Sequence, residues 1–262
     1  MDEARGASAA GGTGWAIAEE LAAQGAQLIV TARRREPLEV LAERIGGRAV
    51  PCDAARPEDI AALARTVAAD GPIDIAVNSA AQSFIGYIAD CDPSDLQRSL
   101  DVNYLAHFHF VREMAAIMRD GGVITLISSS AAMQPVPTRM AYAYAKGATD
   151  CLVRYAAFEY GPRGIRVNSV LPGPIKTEMA ERVFVAPGAE EAFNRAIPLG
   201  RVGLPADFAR VIVALSEPGG YMTGLNLPVS GGLHLTRVPR PDEMPGGLGM
   251  NPRATTPSGK AS

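Results

Sequence analysis

In the stretch AYAYAKGA, Tyr142 and Lys146 stand four residues apart, the spacing that puts two side chains on one face of a helix, while Tyr144 points away. A free phenol titrates near pH ~10, too high for easy proton exchange near neutrality, and an ammonium beside it lowers that value. The pair therefore offers acid–base chemistry at a phenol. Ser128, Ser129 and Ser130 close the apolar run GVITLI, Asn78 ends another run, IDIAVN, and Asn103 sits in DVNYLAHF. Taken singly, each is equally a cap, a turn residue or a satisfied polar core residue. Jointly they bring hydroxyls, amides, a phenol and an ammonium to the carboxyl ends of strands, where open α/β sheets collect their ligands.

The elements that must position these groups follow from periodicity. AQLIVTA, RAVPC, IDIAVNSA, GVITLISSS, GIRVNSVL and GLNLPVS read as short buried strands. Between them lie helical patterns: EPLEVLAERI, PEDIAALARTVAA, a long helix over about 94–118, another over about 141–160, and PADFARVIVALS. Such alternation predicts an α/β chain, a Rossmann-like doubly wound parallel sheet with helices on both faces. A single domain is expected over 1–236, followed by a Pro/Gly-rich tail over 237–262.

The opening MDEARGASAAGGTGWAIAEEL is a glycine-rich loop running into a helix. Gly12, Thr13 and Gly14 lead into Trp15–Ala18, whose amide dipoles suit a phosphate group. Only five residues precede Gly6, and they contain no apolar run, so the first strand is expected to be truncated, degenerate or missing.

Apolar content of 47% and a net charge of −3 describe an ordinary globular chain, with no electrostatic reason for nucleic acid or an anionic membrane as partner. No apolar stretch approaches bilayer length and no secretory signal is visible, so a cytoplasmic location is expected. Three widely spaced cysteines read as reduced thiols. His107 and His109 diverge on their helix, and no metal site is expected.

From about Gly11 to Gly232 the chain resembles the short-chain dehydrogenase/reductase family. Its Tyr-x-x-x-Lys falls on Tyr142 and Lys146. Its serine, thirteen residues before the tyrosine, selects Ser129, and its helix asparagine falls on Asn103. Its NNAG stretch becomes Asn78-Ser79-Ala80-Ala81, its PGxxxT becomes Pro172, Gly173, Pro174, Ile175, Lys176 and Thr177, and Asp53 matches its adenine-binding acid. The resemblance implies hydride transfer between a nicotinamide and a carbonyl or secondary alcohol. Tyr142 would act as acid or base, and Ser129 would bond the substrate oxygen. Lys146 would lower the phenol's pKa and hold the ribose, and Asn103 would relay protons.

Cofactor contacts are expected from Gly12, Thr13, Gly14, Arg33, Asp53, Asn78, Ala80, Tyr142, Lys146, Pro172, Gly173, Ile175 and Thr177. Ala32 stands where an NAD site usually has an acid, and Arg33 follows it, so NADP is favoured with NAD possible. The loop containing Met179, Val183, Phe184, Val185 and Phe193 is expected to form a lid over a small apolar substrate, although core packing explains it as well. Arg139 and Arg182 read as surface charges before receivers of an acidic group. The two long helices resemble the family's dimer-forming pair, hence a homotetramer or homodimer. The alternative is a catalytically weak binding or scaffold protein with an impaired cofactor loop.

Overall fold

A computed structural model of the chain describes residues 5–9, 12–176, 184, 187–240 and 243. Seven strands form one sheet, all paired in parallel: β1 (Arg5–Ala9), β2 (Gln27–Ala32), β3 (Arg48–Pro51), β4 (Ile73–Asn78), β5 (Met118–Ile127), β6 (Arg166–Pro172) and β7 (Asn226–Val229). Their spatial order is β3-β2-β1-β4-β5-β6-β7. The order reverses direction between β1 and β4, the point at whose carboxyl edge open α/β sheets bind their ligands. The doubly wound fold read from the alternation is present.

The missing first strand is a correction. β1 occupies the middle of the sheet, with Arg5–Ala9 registered against Gln27–Thr31 and Gly6 and Ala7 against Ile75 and Ala76. A central strand needs its N–H and C=O groups paired on both sides, and two strong neighbours supply those partners whatever the side chains are. The residues assigned to a loop are thus the strand itself.

Among the described residues eight helices cover the sheet: α1 (Thr13–Ala23), α2 (Arg35–Ile45), α3 (Pro57–Ala68), α4 (Pro93–Leu100), α5 (Ala106–Ile117), α6 (Met140–Tyr160), α7 (Ala189–Ala196) and α8 (Pro205–Ser216). On one face Ile17, Leu21, Leu38, Leu41, Phe208 and Ile212 pack on Val30, Ile75 and Val170. On the other, Ile60, Leu63, Phe110, Met114 and Val153 pack on Ile124 and Val167. Each such buried side chain contributes roughly 1.5–3 kcal/mol, so both helix layers are held by the sheet they cover.

Local sequence marks the boundaries. Pro57, Pro93 and Pro205 open their helices at the first position, where the missing N–H is no loss. Asp92 caps α4 by accepting the Ser94 N–H at 2.7 Å. Gly46 ends α2 at φ 63°. Arg163 ties the α5–β5 junction by donating to the carbonyls of Ala115 (2.6 Å) and Met118 (2.7 Å). The long helix foreseen over 94–118 is α4 and α5 joined by one π turn, Asp101–Leu105. Among the described residues no helix is long and apolar enough to cross a membrane.

Candidate active site

The carboxyl edge of the sheet collects the predicted residues. Ser129 follows β5 in extended backbone (φ −162°), half-buried, between the buried Ser128 and Ser130. Its hydroxyl lies near enough to the Tyr142 phenol to lower that group's pKa, and it accepts the Ala131 N–H at 3.2 Å. Ser128 instead donates to the Lys146 carbonyl at 3.3 Å, so of the three serines Ser129 is the one presented to Tyr142.

Tyr142 and Lys146 do share a face of α6, and Tyr144 is exposed. The Lys146 Nζ lies 5.7 Å from the Tyr142 ring centroid and donates to the Ile127 carbonyl at 2.8 Å. Complete burial pulls the lysine down to about 7, against an opposing pull from Asp150 one turn on. Burial raises the phenol, while the neighbouring Ser129 hydroxyl and the positive charge of Arg139 pull it down. Tyr142 is therefore a protonated phenol near neutrality, the form that donates a proton. The cation acting on it is Arg139, a source the sequence reading did not assign.

Asn103 lies in the π turn, fully buried. Its side-chain carbonyl accepts the Gln82 N–H at 3.0 Å, and its amide donates to the Gln82 carbonyl (2.9 Å) and to Ser99. Its backbone carbonyl accepts from Thr149 Oγ1 at 2.9 Å. The side chain thus anchors the loop after β4, and only the backbone carbonyl faces α6. His107, one turn further, has Nε2 3.3 Å from the Ala80 carbonyl. Burial and the charge of Lys146 hold it well below the usual histidine range.

α1 opens after the carboxyl end of the central β1 with Gly12 as its N-cap at φ 42°, and no side chain caps it. Its first-turn amides, at Thr13 and the buried Gly14, are available to phosphate oxygens. Arg33 and Arg34 are exposed just past the end of β2. Asp53 follows β3 and accepts the Ala55 N–H at 3.0 Å. Asn78, at the end of β4, is buried and accepts the Ala80 N–H at 2.9 Å. Pro172 ends β6, and Gly173 donates to the Val229 carbonyl at 3.2 Å. A Cβ on Gly173 would lie 2.8 Å from the Ser230 Cβ, so that approach requires glycine. Ile175 is buried and bridges to Gly203.

Thr177, Met179, Arg182, Val183 and Val185 lie outside the described residues. Phe193 is buried in a small cluster and meets Phe184 edge to face at 5.9 Å, so this aromatic pair packs core. Residues to which sequence reasoning gave no part in the site share a signal: they recur at helical spacing around assigned ones. Ser99 and His107 flank Asn103 at four residues, and Arg139 and Asp150 extend the face of Tyr142 and Lys146.

A family model described as enoyl-(acyl carrier protein) reductase matches residues 6–234. The chain is 36% identical over 240 residues to versicolorin reductase 1 of Aspergillus parasiticus, covering 84% of this chain and 92% of that protein. A short-chain type dehydrogenase/reductase structure from Mycobacterium ulcerans superposes with a TM-score of 0.87 at 28% identity, over 91% of this chain and 92% of that one. An active-site complex of RhlG with NADP from Pseudomonas aeruginosa gives 0.85 at 26% identity, over 89% and 97%. The uncapped helix after the central strand and these matches agree: the chain belongs to the short-chain dehydrogenase/reductase family and is an NAD(P)-dependent hydride-transferring oxidoreductase.

Proposed function

We propose that the protein interconverts a carbonyl and a secondary alcohol on a small substrate with a largely apolar body, with Tyr142 as the proton donor or acceptor at the substrate oxygen. The Ser129 hydroxyl beside the Tyr142 phenol, with the buried Lys146 Nζ 5.7 Å from the Tyr142 ring centroid, carries this reading. Bound nicotinamide supplies or takes the hydride. Tyr142 gives its proton to the developing alkoxide, and Ser129 steadies the oxygen during that transfer. Lys146 would hold the ribose hydroxyls, while the charge of Arg139 lowers the phenol's pKa. The backbone carbonyl of Asn103 would link the lysine to water.

In this reading Gly12, Thr13, Gly14, Asp53, Asn78, Ala80, Pro172, Gly173, Ile175 and Thr177 hold the dinucleotide. NADP is preferred: Ala32 offers no carboxylate to the adenosine ribose, and exposed Arg33 can meet a 2′-phosphate. The RhlG complex with NADP supports the same choice. The alternative, a catalytically weak binding or scaffold protein with an impaired cofactor loop, was motivated by the irregular amino-terminal segment, and the paired central β1 favours the enzyme reading. A homotetramer or homodimer through the α4–α5 and α6 helices accounts for the exposed Phe108, Tyr144, Tyr155 and Phe158. A cytoplasmic location belongs to the same reading, supported by three free cysteines.

The test follows nicotinamide absorbance with NADPH or NADH over a panel of ketones, aldehydes and an enoyl thioester, for the wild type and Tyr142→Phe. NADPH oxidation with carbonyls, lost in Tyr142→Phe while NADPH binding persists, is expected. Turnover of the enoyl thioester alone, or a Tyr142→Phe variant as active as wild type, would overturn the proposal.

A further inference from the structure

Arg139 precedes Tyr142 by three residues, as the N-cap of α6, and is half-buried rather than a free surface charge. Arg35, Arg48 and Arg201 each pair with a carboxylate, of Glu39, Asp70 and Asp207. The buried Arg166 is satisfied by the carbonyls of Leu215 and Glu217. Arg139 donates to the hydroxyl of Ser83, and among the described residues no carboxylate pairs with it. A guanidinium carries five N–H donors and a full charge, and one neutral hydroxyl compensates neither once water is stripped away.

The backbone also holds this side chain in place. Thr138 is buried at φ 64°, a left-handed conformation that a β-branched residue rarely adopts. Its carbonyl accepts the Gly86 N–H at 3.0 Å, and Gly86 bridges to Arg139. The loop after β4 and the start of α6 are therefore clamped together at a strained residue directly before the arginine. Arg139 stands three residues before Tyr142 at the start of α6, and its charge acts on the phenol, which keeps the guanidinium in the neighbourhood of the proposed proton donor.

We propose that Arg139 receives an oxyanion of the substrate, making the preferred substrate class keto or aldehyde acids: an apolar body with its carbonyl at Tyr142 and Ser129 and a carboxylate in the guanidinium fork. This rests on the carbonyl-reducing reading above. A planar carboxylate matches the fork with two parallel hydrogen bonds, and Ser83 keeps the fork aimed.

The test compares matched pairs, 4-formylbenzoate with its methyl ester, levulinate with methyl levulinate, and 4-oxocyclohexanecarboxylate with its methyl ester, by kcat/KM. Wild type is expected to favour at least one acid over its ester by about tenfold or more, the scale of a hydrogen bond to a charged group. That ratio should fall by about tenfold in Arg139→Met and by less in Arg139→Lys, which keeps charge but loses the fork. Esters turned over as well as acids by wild type, or an unchanged ratio in Arg139→Met, would overturn the inference. Should Arg139→Met not fold, an unchanged ratio in Arg139→Lys overturns it equally. Calorimetric titration of wild type and Arg139→Met with benzoate and methyl benzoate separates the two proposals. Binding of benzoate alone, lost in the variant, in an enzyme that reduces no carbonyl upholds the anion site and sinks the reductase reading. Turnover of esters with no benzoate binding does the reverse.

Discussion

Lys146 sits one helical turn from Tyr142, with its ammonium 5.7 Å from the ring centroid, yet its hydrogen bond goes to the Ile127 carbonyl at 2.8 Å. A cation is thus stored beneath the phenol in a site that water does not reach.

Storage of that charge has a pH signature. The folded lysine titrates at about 7 and an unfolded one near ~10.4. Between these values the unfolded chain binds the extra proton, so stability rises with pH across that window, and below about pH 7 the burial penalty is present in full. Lys146→Met is expected to raise Tm by a few degrees at pH 6, with the gain fading toward pH ~10. Differential scanning calorimetry at four pH values decides it, and a variant less stable than wild type at pH 6 counts against the burial account.

Ser129 alone of its run faces Tyr142, and the three serines should separate by substitution. Ser129→Ala is expected to lower kcat/KM by about 10²-fold, as loss of an oxyanion donor does. Ser128→Ala should act chiefly on stability, because its hydroxyl meets the Lys146 carbonyl and the Asp150 carboxylate. Equal catalytic losses at both positions would assign the serine role wrongly.

His107 is held neutral by burial, with Nε2 donating to the Ala80 carbonyl and Nδ1 without a partner among the described residues. Below pH ~6.5 the unfolded chain takes up a proton that the folded one refuses, so stability falls as the solution is acidified. His107→Leu should flatten the decline in Tm between pH 7 and 5. It should also raise KM for the cofactor severalfold as the loop from Asn78 to Gln82 loosens. Parallel Tm profiles for the two proteins would remove His107 from this role.

The proposed NADP preference is open to reversal. Ala32→Asp combined with Arg33→Ala restores an acceptor for ribose hydroxyls and removes the charge facing a 2′-phosphate. The ratio of kcat/KM for NADPH to that for NADH should drop by about 100-fold, a scale of two charge-assisted contacts. A wild type that already favours NADH would show that Arg33 meets no phosphate.

What was legible in the sequence was whatever a single stretch of chain determines. Helical spacing put Tyr142 and Lys146 on one face, and apolar runs located β2, β4, β5 and β6 because those strands are buried on both sides. β1 was illegible because its stability lies in β2 and β4, which pair with a Gly/Ala/Ser backbone as readily as with valines. Arg139 read as a surface charge because its burial depends on Ser83, fifty-six residues away in sequence. Asn103 was found, but its grip on Gln82 comes from a π turn that no side-chain pattern announces.

That π turn also works as a phase shifter. The extra residue in Asp101–Leu105 rotates α4 against α5, which lets Ser99 reach the Ala141 carbonyl at 3.0 Å while Asn103 O meets Thr149. Removing one residue from it would leave a regular helix of good propensity that presents the wrong sides of both halves to α6. In this chain a helix made more ideal would be a site taken apart.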